Sequence, residues 1–227
     1  MLQLVIGNKN YSSWSMRPWV LLRHFGIPFE ERKLRFDIEP GSAFYTELAR
    51  YTPAARVPVL VDGGFAVWDS LAIVEYIAET QPQHAIWPRD AKQRARARSL
   101  CAEMHSGLSA LRNHCGQNLE ASLPGIGAKV LAEQAGVRED LARLVQMWSD
   151  CLAASGGPFL FGEFSAVDAF YAPVVGRLRT YALPVPPLLQ AYAERVWALP
   201  AVAAWVADGL AEKDFLQFEE SYRTGRD

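Results

Sequence analysis

The chain has 227 residues, of which 50% are hydrophobic and 21% charged, enough apolar material for one large packed domain or two small ones. Its 23 Lys and Arg against 25 Asp and Glu leave a net charge of −2, which gives no electrostatic reason to expect nucleic acid or an anionic membrane as a partner. No apolar run is long enough to span a bilayer, residues 1–6 lack the basic start of a secretory leader, and Cys101, Cys115 and Cys151 form neither a CxxC nor a metal-like cluster with histidine. The composition therefore reads as a cytoplasmic protein with reduced thiols and no metal.

Residues 2–6 form a short apolar strand, followed by a polar, turn-rich stretch over 7–15. A helix comes next, with Ser13 or Ser15 as its cap, Pro18 in the first turn, Val20, Leu21 and Phe25 on its apolar face, and Gly26 at its stop. Residues 29–34 read as a weaker strand and 41–51 as a short helix. Segments 57–61 and 65–68 flank Asp62-Gly63-Gly64, a tight hairpin signal. Asp69 or Ser70 then caps a helix whose apolar side carries Leu71, Ile73, Val74 and Ile77.

After Thr80 the pattern changes. Residues 81–90 hold two prolines and no periodicity, which marks a linker. Beyond it the pattern predicts helices near 91–118, 125–155, 166–181, 187–198 and 200–214, and a loosely held polar tail from Ser221. The expected fold class is α+β: a βαβαββα domain over 1–80, a linker over 81–90 and an all-helical domain over 91–227.

Three segments of the first domain carry chemistry. Ser12-Ser13-Trp14-Ser15-Met16-Arg17 lies between a strand and a helix start, where unpaired N–H groups and the positive end of the helix dipole suit an anion. In Arg56-Val57-Pro58, a proline at a strand start marks an edge, a bend or a cis bond. Asp69-Ser70 sits at a second helix start, able to bind a charged amino acid by side chain and backbone. Singly, each is commonplace: a serine cluster or an Asp-Ser pair before a helix is usually a cap, and most Val-Pro bonds are trans. Their order inside βαβαββα is what distinguishes them.

That arrangement resembles the thioredoxin-like half of a glutathione transferase. The resemblance implies that Ser12 faces the glutathione sulfur, that Val57, before a cis Pro58, pairs its backbone with the cysteinyl part, and that Asp69 with Ser70 holds the γ-glutamyl end. Trp14 and Arg56 complete the implied glutathione site, with Arg56 and Lys33 both candidates for the glycine carboxylate. The serine run is similar to the zeta class, with Trp14 where that motif has cysteine. The likeness extends to Trp87-Pro88, Phe159-Leu160-Phe161-Gly162 and Ser165-Ala166-Val167-Asp168, the last resembling a capping box before a buried helix.

The resemblance implies glutathione as co-substrate, a small electrophile bound against the helical domain, no metal, a role in detoxification, and a homodimer to which the stretch around Leu48, Tyr51 and Met104 contributes. The energetics are adequate. Lowering a thiol pKa from ~8.5 by about two units needs roughly 2.7 kcal/mol. A hydroxyl hydrogen bond to a charged partner supplies about 1.5–3 kcal/mol, and a helix N-terminus roughly 0.3–1 kcal/mol.

Three readings compete: a glutathione transferase using Ser12, with a zeta-like isomerase of a maleyl-type diketo acid as its specific version; a thiol–disulfide reductase, opposed by the absence of cysteine from residues 1–80; and a non-catalytic binding module on the same fold. Other residues read more plainly. Arg94, Arg96 and Arg98 suit a salt-bridged surface, the cysteines suit buried apolar positions, and His114 suits an ordinary helix position. His105 is a candidate for the border of the second-substrate pocket. For Arg177 and Arg179, a surface role and a reach into the cleft both stand.

Overall fold

In the computed structural model, which describes residues 1–226, a four-stranded sheet leads and helices follow. Strand β1 (Leu2–Ile6) pairs parallel with β2 (Phe29–Lys33) across helix α1 (Ser13–His24). The short α2 (Ala43–Leu48) leads to β3 (Val59–Asp62) and β4 (Phe65–Trp68), and α3 (Ser70–Thr80) closes the unit. The strand order is β2-β1-β3-β4, with β1–β3 and β3–β4 antiparallel. This is a thioredoxin-like sheet. The β3–β4 turn needs two consecutive left-handed residues, which Gly63 (φ +55°) and Gly64 (φ +93°) supply.

The rest is helical: α4 (Ala91–Ser106), α5 (Ser109–His114), α6 (Pro124–Glu133), α7 (Ala135–Ser155), α8 (Ala166–Thr180), α9 (Pro187–Trp197) and α10 (Pro200–Ala211), then a 3₁₀ turn at Gln217–Glu219. Two helices expected to be continuous are broken. The 91–118 stretch stops at Gly107, and Leu108 turns left-handed (φ +50°) before α5 begins. The 125–155 stretch breaks at Gln134, whose extended backbone ends α6 and starts α7.

Buried Leu4, Ile6, Trp19 and Ile73 join Trp148, Phe170, Tyr171 and Trp205 in one apolar cluster, so one core runs through both halves. The opposite face of the sheet is covered by Phe44 and Leu48 of α2 against Val5 and Val59. Helix α8 is central and almost wholly buried. Its capping box is formed: Asp168 accepts from the Ser165 N–H at 2.9 Å, and also from the Leu160 N–H and the Tyr192 hydroxyl.

The C-terminal segment straps the loop between β1 and α1. Glu212 accepts from the N–H of Lys9 at 2.9 Å, Asp214 accepts from Asn8 Nδ2 at 2.9 Å, and Glu220 accepts from the Tyr11 hydroxyl at 2.7 Å. Helix α10 packs so closely that a side chain at Gly209 would stand 3.2 Å from the Asn10 nitrogen. The tail is also tied down beyond Ser221, contrary to its polar composition. Tyr222 donates to the His114 carbonyl at 2.8 Å, and Arg223 pairs with Glu220 at 2.6 Å.

Candidate active site

The strap fixes the β1–α1 loop, and the loop presents the serines. Ser12, not Ser13 or Ser15, occupies the N-cap position of α1, yet its hydroxyl caps no backbone N–H. It lies 2.7 Å from Ser15 Oγ, which in turn accepts from the Gly7 N–H at 3.3 Å. Both serines are buried. The N–H groups of Trp14 and Ser15 find no acceptor among the described residues, so the helix start keeps free donors beside Ser12.

Tyr11, the neighbouring hydroxyl, is occupied. It donates to Glu220, and burial together with that carboxylate pushes its pKa up to about 12. It therefore stays protonated and engaged with the C-terminal segment. Ser13 has a different partner again: Arg177 Nη2, reaching from α8, stands 3.4 Å from its Oγ. Arg177 is buried, so of the two roles open to it from sequence the surface one is excluded, whereas Arg179 is exposed and stacks on Trp197.

Arg17 is fully buried one helical turn beyond Ser13. Its guanidinium lies 4.0 Å from the Trp14 ring and 4.9 Å from the Phe170 ring, with Nη1 3.4 Å from Ser70 Oγ. Its Nε and Nη2 have no hydrogen-bond partner among the described residues. Burial and then the charge of Arg177 lower the Arg17 pKa to about 9, and burial lowers that of Arg177 to about 10. Arg112 adds a third guanidinium 5.4 Å from the Trp14 ring. The site thus concentrates positive charge around the serine run, where Arg112 and Arg177 of the helical half join Arg17 of the serine segment itself.

The other implied residues fall as follows. The Val57–Pro58 bond is cis, and no hydrogen bond from the described residues reaches the Val57 N–H or C=O. Arg56 is exposed and unpaired among the described residues, whereas Lys33 is engaged by Glu212 at 3.1 Å. Asp69 is the N-cap of α3, its Oδ1 accepting from the Leu71 N–H at 2.8 Å. It holds φ +74°, a conformation uncommon for a residue with a side chain and concentrated at functional sites. Ser70 is buried beside Arg17, so α1 and the start of α3 converge at that point.

Among the described residues, no group of three His, Cys, Asp or Glu side chains is placed to hold a metal ion. Among the described residues, no helix is long and apolar enough to cross a membrane. The three cysteines are buried free thiols, and burial pushes each of them up from the ordinary thiol range. A cavity of about 420 Å³ lined by Leu178, Arg179, Leu183 and Gln190 contains none of the site residues.

Two family models match the chain, the glutathione S-transferase N-terminal domain over residues 11–80 and the glutathione S-transferase C-terminal domain over 130–208. The sequence is 28% identical over 207 residues to a probable maleylacetoacetate isomerase of Vibrio cholerae, covering 89% of this chain and 95% of that one. It is 30% identical over 165 residues to probable maleylacetoacetate isomerase 1 of Drosophila melanogaster, covering 69% and 64%. The fold is similar to a glutathione transferase homolog from Burkholderia gl BGR1 solved with bound glutathione, at a TM-score of 0.68 and 25% identity over 92% of this chain and 98% of that one. The chain belongs to the glutathione transferase family, a family of glutathione-dependent enzymes.

Proposed function

We propose that the chain binds glutathione along its N-terminal half and uses Ser12 to hold the sulfur as a thiolate for attack on a small electrophile. The observation that carries this is the Ser12–Ser15 hydroxyl pair at the start of α1, beside the free N–H groups of Trp14 and Ser15. A hydroxyl hydrogen is free to rotate. With Ser15 donating to Ser12, the Ser12 hydrogen points out to the sulfur, and Gly7 N–H supports the relay from behind. The protein then supplies no nucleophile. It stabilises the ionised thiol, whose sulfur forms the new bond to the electrophilic carbon.

In this reading Val57 pairs its unoccupied N–H and C=O with the cysteinyl backbone, and Asp69 and Ser70 receive the γ-glutamyl end. Arg56 meets the glycine carboxylate, Lys33 being engaged by Glu212. The helical half, from residue 91 onward, supplies the wall for the electrophile. A homodimer in the cytoplasm is the expected assembly. Leu48 and Met104 are buried within the chain, so the exposed Phe65 and Trp68 of β4 are better placed to meet a second copy.

Arg17, Arg112 and Arg177 favour one version of this chemistry, the isomerisation of an anionic diketo acid of the maleyl type. Cationic side chains beside the sulfur suit a carboxylated electrophile. Addition of the thiolate to the double bond, rotation, and expulsion of the same thiolate would return glutathione unchanged.

Calorimetric titration with glutathione near millimolar concentration, followed by assays with a nitroaromatic and a maleyl diketo acid, tests the reading. Saturable heat with turnover of either substrate supports it. Heat without turnover would support the non-catalytic module, and no heat from folded protein would overturn glutathione binding.

A further inference from the structure

The α3 and α4 helices run side by side and meet at two levels. At one, Arg98 clasps Glu75 with bonds of 2.7 and 2.9 Å. At the other, two turns along α4, His105 Nε2 stands 3.1 Å from Asp69 Oδ2. The His105 ring also packs edge-on against Trp14, with centroids 5.0 Å apart at 76°. Trp14 is itself fixed by Arg17 at 4.0 Å. Thus both oxygens of Asp69 have protein partners, Oδ1 the Leu71 N–H and Oδ2 the imidazole. The carboxylate cannot turn about its own axis without losing both bonds. Each oxygen keeps lone-pair capacity for a further donor.

We infer that His105 is a positioning residue for the γ-glutamyl end of glutathione, acting through Asp69, so that the helical half helps to set the affinity of the sheet half for its ligand. The inference rests on the reading of Asp69 as the residue that meets the ligand's α-amino group. A carboxylate locked in place before the ligand arrives loses no rotational freedom on binding, which is where the gain in affinity originates. His105 suits this task because its ring is wedged against Trp14, on the same helix start that carries Ser12. Movement of α4 is thereby transmitted to the γ-glutamyl end of the bound tripeptide and to the helix start that faces its sulfur.

The test uses three proteins and two ligands. The proteins are wild type, His105→Phe, which keeps a ring against Trp14, and His105→Gln, whose side-chain amide can replace the Nε2 donor. The ligands are glutathione and its analogue lacking the α-amino group, glutaryl-cysteinyl-glycine. His105→Phe should weaken glutathione about five-fold, close to 1 kcal/mol, the worth of one hydrogen bond. His105→Gln should recover most of that loss. The analogue should bind all three proteins alike, and in an Asp69→Asn background His105→Phe should add nothing.

Equal losses for both ligands, or no loss for glutathione, would overturn the inference. Wild type that binds no glutathione would overturn the functional reading itself, an outcome distinct from wild type that binds while the His105 variants match it. Circular dichroism on each variant separates loss of the fold from loss of the contact.

Discussion

Ser12 Oγ and Ser15 Oγ lie 2.7 Å apart, one helical turn from each other, and neither hydroxyl caps the backbone of the helix they begin. The pair departs from what serines at a helix start ordinarily do. It means that Ser15, for which a capping role would be the sequence-based expectation, is the side chain among the described residues that is bonded to the Ser12 hydroxyl and so placed to orient its hydrogen.

Ser15→Ala should therefore raise the pKa of bound glutathione, by less than Ser12→Ala does, because it removes the orienting partner and leaves the donor. A shift of roughly half to one unit corresponds to one modest hydrogen bond. Thiolate absorbance against pH measures it. A Ser15→Ala protein with an unshifted profile and reduced stability alone would return Ser15 to a structural role.

The strap offers a second prediction. Glu220 is buried and accepts from Tyr11, Asn118 and Arg223. Burial pushes its carboxyl up, but the hydrogen bonds from Arg223 and Tyr11 and the Arg223 charge outweigh that and carry it below the usual glutamate range. A lowered folded pKa contributes stability that is present above the unfolded value and is lost as pH falls through the folded one. Glu220→Ala should cost roughly 3 kcal/mol at neutral pH, since it strands buried donors. It should also flatten the acid limb of a plot of melting temperature against pH.

Asp168 should behave with the opposite sign. Burial raises its carboxyl to about 6, against the hydrogen bonds from Ser165, Leu160 and Tyr192 that pull it down. Between the unfolded value near ~3.9 and about 6, the native state holds a proton that the unfolded chain releases, so this group's contribution falls as pH rises through that window. Asp168→Asn should remove that slope. It should also lower stability by roughly 2 kcal/mol near pH 4, because an amide cannot accept from every donor aimed at the carboxyl group, and the difference from wild type should shrink as pH rises through about 6. Calorimetric melting from pH 4 to pH 7 in both proteins reads both effects as one difference curve. An unchanged slope would place the titration elsewhere.

What the sequence made legible was local. The Gly63-Gly64 hairpin, the Asp69 cap of α3 and the capping box at Ser165 and Asp168 each reside within a few residues, and each stands in the structure where its pattern indicated. Of the two helix breaks, the one before Leu108 carried a signal in Gly107, which ends α4, whereas Gln134 is no breaker by residue type and its extended backbone had no local signal. Arg177 beside Ser13, and Glu212 and Glu220 on the serine loop, join residues more than 150 positions apart, and no periodicity carries such pairings. The interface expected around Leu48, Tyr51 and Met104 came with the family resemblance rather than from any pattern in these residues, and Leu48 and Met104 are buried within the chain.

The central claim is that a serine hydroxyl at the start of α1 holds the sulfur of glutathione as a thiolate, and the most direct test is titration of thiolate absorbance in the glutathione complexes of wild type and Ser12→Ala. Wild type should bind the thiolate with a pKa near ~6.5, and Ser12→Ala should raise it by about one to two units with little change in affinity. A Ser12→Ala complex that titrates with the wild type would contradict the account, leaving the free N–H groups of the helix start to stabilise the sulfur alone.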